Sequence, residues 1–129
     1  MQNITRFDTA DAAAGGTSRP FSKVVRAGDF VFVSGQVPAI QGEIIREGIV
    51  RQTEQVIHNI IDILLLADCT LEHVVKVNVW LDDPRDFTSF NSVFEQYFSQ
   101  HPPARSTVRS SLMVDAKIEM DVTAYKPIS

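Results

Sequence analysis

IVRQTEQVIHNIIDILLLADCTLEHVVKVNVWL, from Ile49 to Leu81, changes its period once, and that change decides the fold. Up to Ala67 the apolar residues Val50, Val56, Ile57, Ile60, Ile61, Leu64 and Leu65 recur at helical spacing, where a strand would alternate. The helix stops near Asp68-Cys69-Thr70. From Val74 the chain takes on strand character, with Val75, Val77, Val79 and Leu81 on one face. The other face carries Val74, Lys76, Asn78 and Trp80, a mixed set.

Toward the C-terminus, Asp82-Asp83-Pro84 reads as a turn, because Pro84 cannot continue a ladder. Asp86 or a near neighbour can cap a second helix, which carries Phe87, Phe90, Phe94, Tyr97 and Phe98 on one stripe. His101-Pro102-Pro103 breaks that helix. Two strands follow, at about 105–110 and 117–125. Toward the N-terminus, Pro20 to Val25 and Phe30 to Ser34 form a hairpin around the turn residues Ala27-Gly28-Asp29. Gly35-Gln36-Val37-Pro38 ends its second arm, and Gln41-Gly42-Glu43 makes a further turn. Residues 1–16 read as a loosely ordered lead-in with room for one short strand.

The expected order is β-β-α-β-α-β-β, an α+β architecture with one sheet and both helices on one face. The length of 129 residues suits one domain spanning 1–129. In the last strand Ile118, Met120, Val122 and Ala124 turn toward the helices, and Lys117, Glu119, Asp121, Thr123 and Tyr125 turn away. A sheet face of that kind, mixed and bearing Trp80, predicts a contact between subunits.

Apolar residues make up 44% of the chain and charged residues 22%, the balance of a globular protein. The net charge of −4 argues against a nucleic-acid partner, which calls for a basic face. Cys69 is the only cysteine, so an internal disulfide is excluded, and the scattered His58, His73 and His101 offer no zinc spacing. The first eight residues lack the apolar segment of a signal peptide, and no apolar run approaches the roughly 20 residues that span a bilayer. A cytoplasmic chain with no membrane partner is expected. No GxGxxG, P-loop or GxSxG pattern points to a nucleotide cofactor or a serine nucleophile.

Arg105 is the leading candidate for chemistry. Pro102-Pro103 delivers it onto the first turn of a strand, and a planar guanidinium held there is a receptor for a small carboxylate. The competing reading is a salt bridge, with Glu119 brought within reach by the last strand. Glu119 reads either as a solvated strand residue or, if buried, as a group that moves a proton or holds a water. Asn91 lies beside the aromatic stripe, where its amide must find a partner in a loop or a ligand. Ser34-Gly35-Gln36 exposes backbone that a ligand could approach. Thr107 shares the side of Arg105 and Arg109, and Phe21 reads by composition as core or as the wall of a pocket. Arg19, Lys23 and Arg109 are further cations that could enlarge an anion site.

The elements Pro20-Phe21-Ser22, Val33-Ser34-Gly35-Gln36-Val37-Pro38, Asn59-Ile60, Val74 to Val77, Asp86-Phe87 with Asn91, Tyr97-Phe98, Pro103-Ala104-Arg105-Ser106 and Ile118-Glu119 occur in one order. In this the chain resembles the RidA/YjgF family of reactive intermediate (enamine/imine) deaminases over about residues 17 to 126. The resemblance implies a chorismate-mutase-like fold and a homotrimer with active sites between subunits. It implies hydrolysis of enamines and imines, typified by 2-aminoacrylate, to a 2-keto acid and ammonia without metal or cofactor. In that reading Arg105 holds the carboxylate, Glu119 positions water, and Phe21, Ser34, Gly35, Gln36, Asn91 and Thr107 contact the substrate. The chain departs from the common pattern at Phe21, where many members have tyrosine, and at Thr107, where many have cysteine. A larger enamine such as 2-aminomuconate therefore stays open beside 2-aminoacrylate. Two other functions compete: a non-catalytic trimer that binds 2-keto acids, and a ribonuclease or translation inhibitor, a role also attached to relatives.

Overall fold

The computed structural model describes residues 3–8, 10–11, 17–18 and 20–128. The strands are β1 (Ile4–Phe7), β2 (Ala10–Asp11), β3 (Thr17–Ser18), β4 (Val24–Ala27), β5 (Phe30–Gln36), β6 (Ala39–Ile40), β7 (Glu43–Ile44), β8 (Val74–Leu81), β9 (Ala104–Arg109) and β10 (Ile118–Tyr125). The helices are α1 (Ile49–Leu66) and α2 (Phe87–Phe98). Six strands form one sheet in the order β1-β4-β5-β10-β8-β9, while β2 with β3 and β6 with β7 make small separate pairs. Neighbours in the main sheet are antiparallel except β8 and β9, which run parallel and leave β9 at an edge.

Both helices cover one face, as the expected α+β architecture requires. Ile57, Ile60 and Leu64 of α1 and Phe90, Val93 and Phe98 of α2 join Val77, Ile118, Met120 and Val122 in one core. The expected order gains β1 ahead of the hairpin. Residues 1–2, 9, 12–16, 19 and 129, which include half of the lead-in and Arg19, lie outside the described residues.

Two details depart from the alternation read along the chain. Val50 and Leu65 are 45% and 59% exposed, whereas Ile49, Gln52, Thr53 and Ile63 are buried. At about 100° per residue the buried stripe runs one position away from Val50 and Leu65. On β8, Val74 is 3% exposed and Val75 is 45% exposed, the reverse of the expected faces. The pairing with β10 slips there, from Lys76 opposite Thr123 to Val74 opposite Ala124. This bulge carries Val75 to the open face.

α1 ends through Asp68, whose φ of 59° lies in the left-handed region. The Cys69 amide reaches back to the Leu64 carbonyl at 3.0 Å and closes the helix. Asp86 stands at the N-cap of α2 as expected but makes no side-chain cap bond there, while Asp83 caps the 3-10 turn just before it, its carboxylate accepting from the Arg85 amide at 2.9 Å.

Candidate functional site

Arg105 is aimed by the parallel register of β9 on β8. It lies opposite Val77, whose side chain is fully buried, so Arg105 points to the helix side of the sheet. There α2 presents Phe87, Phe90 and Phe94 at helical spacing, with Asn91 between them. The central guanidinium carbon stands 5.8 Å, 5.2 Å and 4.8 Å from the three ring centres. Nη1 donates to Asn91 Oδ1 at 2.7 Å. The rings restrict the plane of the guanidinium and attract its charge, and the amide sets its rotation. Burial pushes the Arg105 pKa below its usual value, although an arginine remains charged at any physiological pH. A guanidinium carries five N–H donors, so most of them remain for an anion. Arg105 opens onto a surface cavity of about 210 Å³ whose other walls include Phe94, Phe98, Pro102 and Pro103.

Thr107 follows on the same side, opposite Val79. Its hydroxyl oxygen is buried and has no hydrogen-bond partner among the described residues.

Glu119 occupies the other face. Ile118 and Met120 on either side of it are fully buried beneath the helices, so alternation turns Glu119 away from them. Its carboxylate lies directly against Gly35, so close that a Cβ added to that glycine would collide with Glu119 Oε2. The approach happens at a second bulge: Met120 pairs with Gln36 and Val122 with Val33, which leaves Ser34 and Gly35 opposite Asp121. Burial, followed by the charge of Asp121, pushes the Glu119 pKa up. Around the bulge, Ser34 Oγ donates to the Ser22 carbonyl at 2.6 Å, and Gln36 Nε2 donates to the Ser34 carbonyl at 3.1 Å. Phe21, read by composition as core or pocket wall, is 54% exposed.

Two residues of α1 hold this region in place: Asn59, named above only among the family elements, and Gln52, which the sequence reading passed over. Asn59 Nδ2 donates to the carbonyls of Val37 (3.2 Å) and Ala39 (3.0 Å). Gln52 is 3% exposed. It donates to the carbonyls of Ile45 and Glu47 and accepts from the Lys117 amide at 2.8 Å, two residues before Glu119. Their signal was visible as two amides seven residues apart on the apolar side of a helix.

The structure thus gathers the expected residues into two groups. Arg105, Asn91 and Thr107 lie on the helix side, at the sheet edge. Glu119, Ser34, Gly35 and Gln36 lie at the bulge. The expectation that β10 brings Glu119 within reach of Arg105 is corrected. β8 lies between them, Glu119 pairs with Trp80 and Trp80 with Val108, so Arg105 and Glu119 face opposite sides of the sheet. Among the described residues no helix is long and apolar enough to cross a membrane, and no three His, Cys, Asp or Glu side chains converge as a metal site.

A single sheet of this order, with two helices on one face and an arginine caged by the second helix, defines an α+β class that comparison with known proteins makes specific. The family model described as Endoribonuclease L-PSP matches residues 12–126, and the chain belongs to that family, the YjgF/RidA family. A RutC family protein from Pyrococcus abyssi is 44% identical over 110 residues, covering 83% of this chain and 87% of the relative. Reactive Intermediate Deaminase A, chloroplastic, from Arabidopsis thaliana is 34% identical over 126 residues, covering 95% of this chain and 65% of the relative. The crystal structure of the yeast protein YEO7_yeast superposes with a TM-score of 0.85 at 35% identity, covering 95% of this chain and 98% of that one.

Proposed function

We propose that the protein hydrolyses reactive 2-imino acids and their enamine tautomers, such as 2-aminoacrylate, to 2-keto acids and ammonia, at a site that two copies of the chain build together. The observation that carries the reading is the Arg105 guanidinium, caged by three phenylalanine rings and using one donor on Asn91. A half-buried cation with unused, oriented donors favours an anion that can accept two parallel hydrogen bonds, and a carboxylate does so. The name of the plant relative supports the reaction class.

Arg105 holds the substrate carboxylate, and protonation of the enamine at carbon gives the imine. Water adds its oxygen to the imine carbon, and its proton passes to a base. The base passes that proton to the nitrogen, and the tetrahedral carbon expels ammonia as its hydroxyl proton follows and the carbonyl forms. Glu119 is the base, because its raised pKa favours taking up a proton and it stands on a bulge with open backbone around it. Since Glu119 and Arg105 face opposite sides of one sheet, the Glu119 that serves a given Arg105 comes from a neighbouring copy.

The open face fits such a neighbour. Phe30, Phe32, Val75 and Tyr125 are each between 42% and 46% exposed there, with Phe30 packed edge-on against Tyr125 at 5.2 Å. An apolar cluster of this kind marks an interaction surface, and three copies in a closed ring would cover it. A trimer that only binds 2-keto acids would use the same clamp. A ribonuclease reading, which the family's description favours, calls for a basic face, and the net charge of −4 runs against it.

The test is ammonia release from 2-aminoacrylate generated in situ. Wild type accelerates release, and folded Arg105→Ala does not. A folded Arg105→Ala protein with wild-type rates would overturn the assignment.

A further inference from the structure

Along α2 and its C-cap, Asn91, Glu95 and Ser99 recur every fourth residue and share one stripe of the helix. All three line the cavity of about 210 Å³ onto which Arg105 opens. The Ser99 amide still bonds to the Glu95 carbonyl at 3.1 Å, so the helical rise continues to the end of the stripe. Asn91 marks the cationic end of the cavity, since its Oδ1 accepts from Arg105 Nη1. Glu95 stands one turn farther on, about 6 Å along the helix axis. Between the two, Phe94, Phe98 and Pro102 make apolar walls.

The Glu95 carboxylate makes no hydrogen bond or ion pair among the described residues. Its charge nevertheless reaches Arg105: burial lowers the Arg105 pKa, and Glu95 opposes that shift. The two groups therefore share one cavity without pairing. The last turn of α2 carries no basic residue, so the negative end of the helix dipole adds to the field of Glu95. Arg105 is the only cation that lines the cavity. One end is thus positive with oriented donors, and the other is negative with no counter-charge.

We infer that Glu95 is a specificity-determining residue of this site: it turns away 2-imino acids that carry a distal carboxylate and admits those whose side chain is neutral or ends in a cation. The inference rests on the clamp proposed above for Arg105. With the first carboxylate on Arg105, the side chain of the substrate runs along α2 between the phenylalanine and proline walls. An extended five-carbon dicarboxylate sets its carboxyl carbons about 5 Å apart. That span is close to the one-turn advance from Asn91 to Glu95, so the second carboxylate meets Glu95 and finds no cation. Two like charges about 6 Å apart at a protein surface repel enough to weaken binding about three- to tenfold. A dicarboxylate enamine such as 2-aminomuconate is disfavoured on the same ground, and 2-aminoacrylate, with no charge on its side chain, is not.

The experiment is calorimetric titration of the intact protein with two 2-keto acids of equal length, 2-oxopentanoate with one carboxylate and 2-oxoglutarate with two. Glu95 is exposed, so substituting it opens no cavity in the core. Wild type binds 2-oxoglutarate about three- to tenfold more weakly than 2-oxopentanoate. The gap closes in Glu95→Gln, reverses in Glu95→Lys and narrows at high salt. Equal wild-type affinities, a wild-type preference for 2-oxoglutarate, or a ratio that Glu95→Gln leaves unchanged overturns the role of Glu95 while leaving the clamp intact. Arg105→Ala tests the clamp separately, since it weakens both ligands if the clamp is right. Unchanged binding of both ligands to Arg105→Ala, or no binding of either to wild type, overturns the clamp and the specificity with it.

Discussion

Gly35→Ala isolates the contact on which the position of Glu119 depends. The added methyl would collide with the Glu119 carboxylate, and restoring ordinary contact requires Oε2 to retreat by about 1 Å. The obstacle is the far end of a flexible side chain, so the carboxylate swings aside and the backbone stays. Gly35 lies in an extended strand with no left-handed φ to lose, so alanine strains no dihedral. Stability should therefore change by less than about 1 kcal/mol, the range of substitutions that open no cavity and bury no polar group. Catalysis should suffer more. A misplacement of about 1 Å at a reacting group can cost on the order of 100-fold in rate, and kcat for a 2-imino acid should fall by about that factor. Affinity for a 2-keto acid should fall far less, because the Arg105 clamp comes from the other copy and the substitution leaves it untouched. Ammonia-release kinetics, titration with the keto acid and urea denaturation read the three quantities on one preparation. A Gly35→Ala protein with wild-type kcat would refute the assignment of Glu119 as the base, and an equal loss in binding would make Glu119 a binding residue.

Three further outcomes follow from the structure. Because burial raises the Glu119 pKa, the folded chain holds that proton more tightly than the unfolded chain does. At pH 7 the ionised carboxylate therefore costs stability, and below the ordinary carboxylate range the cost disappears. Glu119→Gln should melt higher than wild type at pH 7, with the difference closing on acidification. The acid limb of the activity profile, set by Glu119 losing its proton, should lie above the usual glutamate value and vanish in the variant. Phe32→Lys places a charge in the aromatic cluster of the open face, and light scattering should show the assembly falling to monomers with loss of activity. An unchanged mass would mean that this face is not the contact.

Much of the fold could be read from single strands and helices. β10 shows its alternation without interruption, so its core set Ile118, Met120, Val122 and Ala124 needed no partner to identify. The spans of α1 and α2 followed from the apolar period and from Pro102-Pro103. What escaped the reading depends on pairing. The bulges at Val75 and at Ser34-Gly35 arise from register against β10; Val75 carries no local mark of it, and Gly35 signals only a close approach, not what approaches. The relation of Arg105 to Glu119 failed for the same reason. The alternation within β9 and within β10 was correct, but which face of β9 matches which face of β10 depends on β8 lying between them. The aromatic stripe of α2 was legible as core, yet its second role as the floor beneath Arg105 required the parallel register of β9 on β8. Phe21 shows the limit of reading by residue type: an aromatic read as core or pocket wall is more than half exposed.

The claim that two copies share one site is tested most directly by co-expressing Arg105→Ala and Glu119→Gln chains and assaying the mixed assemblies. Each variant alone should be nearly inactive. In random mixed trimers about a quarter of the sites join an intact Arg105 to a neighbour's intact Glu119, as a head-to-tail ring requires, and about that fraction of wild-type activity should return. Mixed assemblies with no more activity than the separate variants would contradict the account.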